Sequence, residues 1–87
     1  MAQYTVRFKQ SAEKTLRKLP EAVQKRIAAA AKDLRDNPRP RGCVKLEGGD
    51  GLWRIRVGDY RVVYAIEDDQ LIVLVVRVAH RKDVYRG

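Results

Sequence analysis

The chain has 87 residues, and a domain of that length buries only about 60–70% of the surface its unfolded chain exposes, so a single domain over residues 1–87 is expected and two cores are excluded. Its net charge of +8, with 45% hydrophobic and 34% charged residues, argues against disorder and for a polyanionic partner: nucleic acid first, an acidic protein next, an anionic membrane surface last, with a solvated basic surface as the plain alternative. A lone cysteine, Cys43, rules out an internal disulfide framework and suits the cytoplasm; the charged opening MAQYTVRFKQ does not read as a signal peptide, and the longest apolar run, Leu71–Val76, is too short to cross a bilayer, so no membrane partner is expected.

In chain order, Tyr4, Val6 and Phe8 alternate with Thr5, Arg7 and Lys9, the period of a half-buried strand. Ser11 is a candidate N-cap for a short helix carrying Ala12, Leu16 and Leu19 on one face. Pro20 suits the first turn of a second helix, with Glu21 at its positive end. That helix is expected to run to about Asn37, stopped by Pro38 and Pro40. Its apolar stripe is Val23, Ile27, Ala30 and Leu34, with Lys25, Arg26, Lys32 and Arg35 outside it, and the alanines 28–31 permit close packing on a sheet.

Residues 38–51 read as a loop interrupted by the short extended piece Cys43–Leu46. Strands are expected at Leu52–Val57, Tyr60–Glu67 and Gln70–Val78, joined by Gly58-Asp59 and Asp68-Asp69. The fold class is therefore α+β, a small single domain of β-α-α-β-β-β order. Its sheet is an antiparallel meander with the two N-terminal helices packed on one face.

With Gly58 and Asp59 in the turn, Val57 faces Tyr60, Arg56 faces Arg61, Ile55 faces Val62 and Arg54 faces Val63. Trp53, Ile55, Val57, Tyr60, Val62 and Tyr64 then share the helix side, while Arg54, Arg56 and Arg61 share the other. Like charges facing each other across strands cost roughly 0.2–1 kcal/mol. Three guanidiniums on one rigid face make a phosphate site, or else a solvated face neutralised by Glu47 or Asp50. The run LIVLVV is apolar in both phases, so its strand is expected to be covered on both sides, leaving the arginine face concave.

The tail VAHRKDVYRG adds His80, a proton-transfer candidate near neutral pH, and Tyr85, which can stack on a base. The duller readings are a packing histidine and a core tyrosine. Trp53 and Tyr64 read as core and Cys43 as a structural thiol. No His, Cys or carboxylate set has metal-ligand spacing, and no cofactor is indicated.

The element order together with LWRIRVGDYRVVYAI and LVVRVAHRKDVYR resembles the RelE branch of the RelE/ParE superfamily of bacterial and archaeal type II toxins, over nearly the whole chain. The resemblance implies an mRNA endoribonuclease that enters the ribosomal A site and cleaves the codon displayed there. By motif position, Arg54 and Arg56 match the family's paired basic residues, often lysines, and Arg61 its phosphate-stabilising arginine. Arg81 matches the basic residue after the last strand, Tyr85 the C-terminal tyrosine, and His80 the place where some relatives carry a candidate acid.

In that chemistry Arg56 and Arg61 hold the scissile phosphate, Arg81 or His80 serves the leaving 5′ oxygen, Tyr85 orients the nucleotide and Arg54 assists. The general base and acid are left open, since arginine replaces lysine at the first pair. The implied partners are a cognate antitoxin, whose complex with the toxin binds operator DNA through the antitoxin, and the ribosome with its mRNA. Lys25, Arg26, Lys32 and Arg35 are candidate ribosome or RNA contacts. Competing readings are a ParE-like inhibitor of DNA gyrase, a non-catalytic RNA-binding module, and a degenerate toxin.

Overall fold

The computed structural model describes residues 3–48 and 51–84. Strand β1 is Thr5–Phe8, helix α1 Gln10–Arg17, helix α2 Glu21–Asp33, strand β2 Val44–Lys45, β3 Leu52–Val57, β4 Tyr60–Glu67, β5 Ile72–His80 and the short helix α3 Arg81–Val84. They form an α+β domain around one sheet of order β1-β5-β4-β3-β2.

The expected antiparallel meander is its centre, β3-β4-β5. Two edges extend it into a mixed five-stranded sheet. Strand β1 lies parallel to β5, Thr5 beside Ile72 and Phe8 beside Val75, since the two helices carry the chain over one face between them. At the other edge Val44 and Lys45 pair with Arg54 and Trp53. Alternation shows that a strand has two different faces and says nothing of its partner's direction.

The helices adjust the expected boundaries. Lys9 rather than Ser11 is the N-cap of α1, and Ser11 lies inside, its carbonyl accepting the Thr15 hydroxyl. Pro20 is the N-cap of α2 rather than a residue of its first turn. Helix α2 ends at Asp33, with Leu34 as C-cap, because the residue before a proline avoids helical backbone and the chain must uncoil ahead of Pro38. Ala12, Ile27 and Leu34 point inward and meet Ile55, Val62, Tyr64, Val73, Val75 and Val78 of the sheet, and Ala31 is buried as well.

Strand β5 begins at Ile72 and ends at His80, two residues later at both ends than expected. A four-residue link, 68–71, replaces the two-residue turn, with Leu71 at φ +55. The strand also carries a bulge. Val63 pairs with Arg77 but Tyr64 pairs with Val75, leaving Val76 opposite no partner. The extra residue shifts the phase, so Val73, Val75 and Val78 all face the helices although 78 breaks the odd-number series. The other face of the strand is less covered than expected over its first part: Ile72 and Leu74 are half-buried and Arg77 is exposed, while Ala79 is buried.

The end of the sheet away from Gly58 is tied down by polar contacts. Asp68 accepts the Tyr4 hydroxyl at 2.7 Å and two Arg39 bonds at 2.9 and 3.3 Å, while Arg39 also lies over the Trp53 ring, 5.2 Å from its centroid. Buried Tyr64 donates to Pro38 O at 2.7 Å, and burial, with Cys43 beside it, pushes its hydroxyl well above the usual tyrosine range.

Candidate functional site

The β3–β4 turn organises the opposite end of the molecule. Gly58 has φ +60 and Asp59 a negative φ, the sign pattern of a type II′ hairpin, which places glycine first. Val57 then pairs with Tyr60, Arg56 with Arg61, Ile55 with Val62 and Arg54 with Val63, the register expected from the sequence. Arg54, Arg56 and Arg61 share the face turned away from the helices.

Three consecutive carbonyls at this turn each receive a donor from an arginine. Arg56 Nε donates to Gly58 O at 3.2 Å, the Arg81 backbone N–H to Asp59 O at 2.7 Å, and an Arg61 terminal guanidinium nitrogen to Tyr60 O at 3.3 Å. The turn thus brings together β3, β4 and α3. Helix α2 adds a fourth arginine, because the Arg26 guanidinium lies 3.3 Å from where a Cβ on residue 58 would stand.

Arg61 is the buried member, 7% exposed, with Val63 and Ala79 beside it also buried. Arg56 and Arg81 are exposed and Arg54 is half-buried, so Arg61 is the most buried of the group. Among the described residues no ion pair reaches Arg26, Arg56, Arg61 or Arg81. Glu47 does not neutralise these arginines, and Asp50 lies outside the described residues. A desolvated guanidinium lacking an internal carboxylate is stabilised by an anion from outside. Planar donor forks suit a phosphodiester.

The bulge at Val76 separates His80 from this group. His80 pairs with Tyr60, hence on the helix side, its ring edge-on to the Tyr60 ring with centroids 5.3 Å apart. Its Nδ1 accepts the Lys82 N–H at 3.3 Å. The ring lines a cavity of about 500 Å³ between α1 and the end of β5, with Ser11, Thr15 and Leu19 opposite. Tyr85 lies outside the described residues.

Of the α2 cations only Arg26 meets the hairpin turn. Lys25 is 3.5 Å from Glu21 on the exposed helix surface, and Lys32 and Arg35 are exposed farther along the chain. Sequence reasoning missed Arg41, which lines a second cavity of about 360 Å³ with Asp33 and Arg56. Its signal was the basic PRPRG loop. Among the described residues no group of three or more His, Cys, Asp or Glu is arranged to hold a metal ion, and no helix is long and apolar enough to cross a membrane.

Comparison with known proteins adds an independent line. Residues 6–85 match the family model described as the ParE toxin of the type II toxin–antitoxin system parDE. The chain is 37% identical over 84 residues to the toxin RelG of Mycobacterium tuberculosis, covering 95% of this chain and 97% of that protein. Among solved structures it resembles the archaeal RelE–RelB complex from Pyrococcus horikoshii (TM-score 0.81, 31% identity, 91% of this chain and 96% of the other). It also resembles the toxin–antitoxin complex RelBE2 from M. tuberculosis (TM-score 0.83, 36% identity, 93% and 94%).

Proposed function

Since the chain is a RelE-type toxin of the RelE/ParE superfamily of toxin–antitoxin systems, we propose that it is a ribosome-dependent mRNA endoribonuclease, acting in the cytoplasm on the codon displayed in the A site. The observation that carries this reading is the convergence of the Arg56 and Arg61 guanidiniums and the Arg81 backbone N–H on three consecutive turn carbonyls, with no carboxylate paired to these arginines among the described residues.

The reaction is attack of the substrate's own 2′-OH, its proton passing to water, on the adjacent phosphorus with departure of the 5′ oxygen, giving a 2′,3′-cyclic phosphate and a free 5′-OH. It needs in-line placement and stabilisation of charge on the phosphorane, both of which fixed guanidiniums provide without a metal. Arg61, held by Tyr60 O, and Arg56, held by Gly58 O, grip the non-bridging oxygens. Arg54 adds positive potential from the same strand face, and Arg81 stabilises the departing 5′ oxygen while water protonates it. Tyr85 is assigned the stacking role on the nucleotide, and Lys25, Lys32 and Arg35 contacts to rRNA. His80, on the helix face, acts by packing on Tyr60 rather than by direct proton transfer.

A cognate antitoxin with an acidic segment is the protein partner, and its complex with the toxin binds operator DNA through the antitoxin. The arginine constellation favours this reading over gyrase inhibition, which needs no such phosphate site. Primer extension on a defined mRNA in a purified translation system tests it: cuts confined to A-site codons and dependent on ribosomes support the nuclease, and their absence from folded protein refutes it.

A further inference from the structure

Arg26 differs from the other cations of α2. Its guanidinium reaches the tip of the β3–β4 hairpin and lies against Gly58, with both terminal nitrogens 3.3 Å and the central carbon 3.5 Å from the position a Cβ would take. The carbonyl of that same glycine accepts Arg56 Nε at 3.2 Å. Two guanidiniums from different elements therefore approach one residue, Arg56 from the sheet and Arg26 from the helix layer. Neither has a carboxylate partner among the described residues, whereas Lys25, next along the helix, is offset by Glu21. Arg26 is also exposed, so its remaining donors are available to a ligand.

We infer that Arg26 binds the RNA phosphate neighbouring the scissile one, extending the arginine site around the hairpin tip. The inference rests on the nuclease reading for its substrate and assigns Arg26 to mRNA rather than to rRNA. A strand held at one phosphate by Arg56 and Arg61 passes over the tip of the turn. A second guanidinium one residue away fixes its direction, which in-line attack requires.

The test uses ribosomes programmed with an mRNA carrying 2′-deoxyribose at the cut position, so that binding is read without chemistry, beside ribosomes whose mRNA ends at the P site. Binding of wild type, Arg26→Ala and Arg26→Lys is titrated over a salt series. On A-site mRNA, Arg26→Ala is expected to weaken binding roughly tenfold, as loss of a charge-assisted contact does, and to flatten the logarithmic salt dependence by about 0.7–1. Arg26→Lys keeps the slope, and on truncated mRNA the difference from wild type disappears. Equal binding of wild type and Arg26→Ala on A-site mRNA overturns the inference, and so does an equal loss on both kinds of ribosome, which marks an rRNA contact. A wild type that binds with the Arg26-dependent slope yet leaves all-ribose mRNA uncut removes the nuclease reading and leaves the phosphate contact standing.

Discussion

Arg56 and Arg61 face each other directly across β3 and β4, and each bonds a carbonyl of the turn that joins them, Arg56 to Gly58 O and Arg61 to Tyr60 O. Opposed like charges destabilise a strand pair. The turn carbonyls offset part of that repulsion, while the remaining donors of both forks await an anion. On the proposed reading, a bound phosphate relieves the remainder of that repulsion.

The proposed reading makes Arg61 a residue kept for function at the expense of stability. Replacing it with methionine, of similar reach and no charge, is expected to leave thermal stability unchanged or raise it, since a buried charge with no carboxylate partner among the described residues is removed. Cleavage should fall by at least about a hundredfold, the typical loss when one oxyanion-stabilising donor is removed. Calorimetry and primer extension on the same preparation check both halves.

Gly58→Ala should damage fold and site together. The φ of +60 strains any side chain, and a Cβ meets the Arg26 guanidinium at 3.3 Å. Denaturant titration is expected to show a loss of more than about 1 kcal/mol, as for alanine placed at positive φ. Cleavage should fall further than stability accounts for, because relief of the strained φ turns the residue-58 carbonyl away from Arg56 and the added Cβ displaces Arg26.

His80→Ala is expected to retain cleavage within about tenfold of wild type, below the usual 10²–10⁴-fold contribution of a general acid or base. The pH–rate profiles of the two proteins should run parallel. A limb of the wild-type profile that vanishes in the variant would return His80 to direct proton transfer.

The Asp68 clasp carries a pH dependence. Bonds from Arg39, then Tyr4, hold its carboxyl below the usual carboxylate range. A group whose folded-state pKa is depressed stabilises the fold above its unfolded pKa, about 3.9 for aspartate, and loses that contribution as pH falls through the folded value. Asp68→Asn should therefore melt lower than wild type at pH 7, by a small margin given the solvent-exposed setting. The gap should close as the pH drops below about 4. Melting curves over a pH series measure it.

Much of this was legible in the sequence for identifiable reasons. The hairpin register followed from one glycine and the two-residue period, and it placed Arg54, Arg56 and Arg61 together. The bulge was hidden, because LIVLVV is apolar in both phases and gives no mark of an extra residue at Val76. His80 therefore counts onto the arginine face in an unbroken strand and lies on the helix face in the bulged one. The parallel pairing of β1 and the reach of Arg26 to Gly58 were also beyond reading, since both depend on how the helix layer sits on the sheet. The turn carbonyls as a common anchor have no side-chain signature at all.

Primer extension on a defined mRNA, with and without ribosomes, comparing wild type with Arg61→Ala, tests the central claim most directly. The account predicts cuts within the A-site codon that require ribosomes, disappear in Arg61→Ala, and fail when the cut position carries 2′-deoxyribose. Wild-type cleavage rates in a folded Arg61→Ala protein, or cleavage that survives the 2′-deoxy substitution, would contradict it.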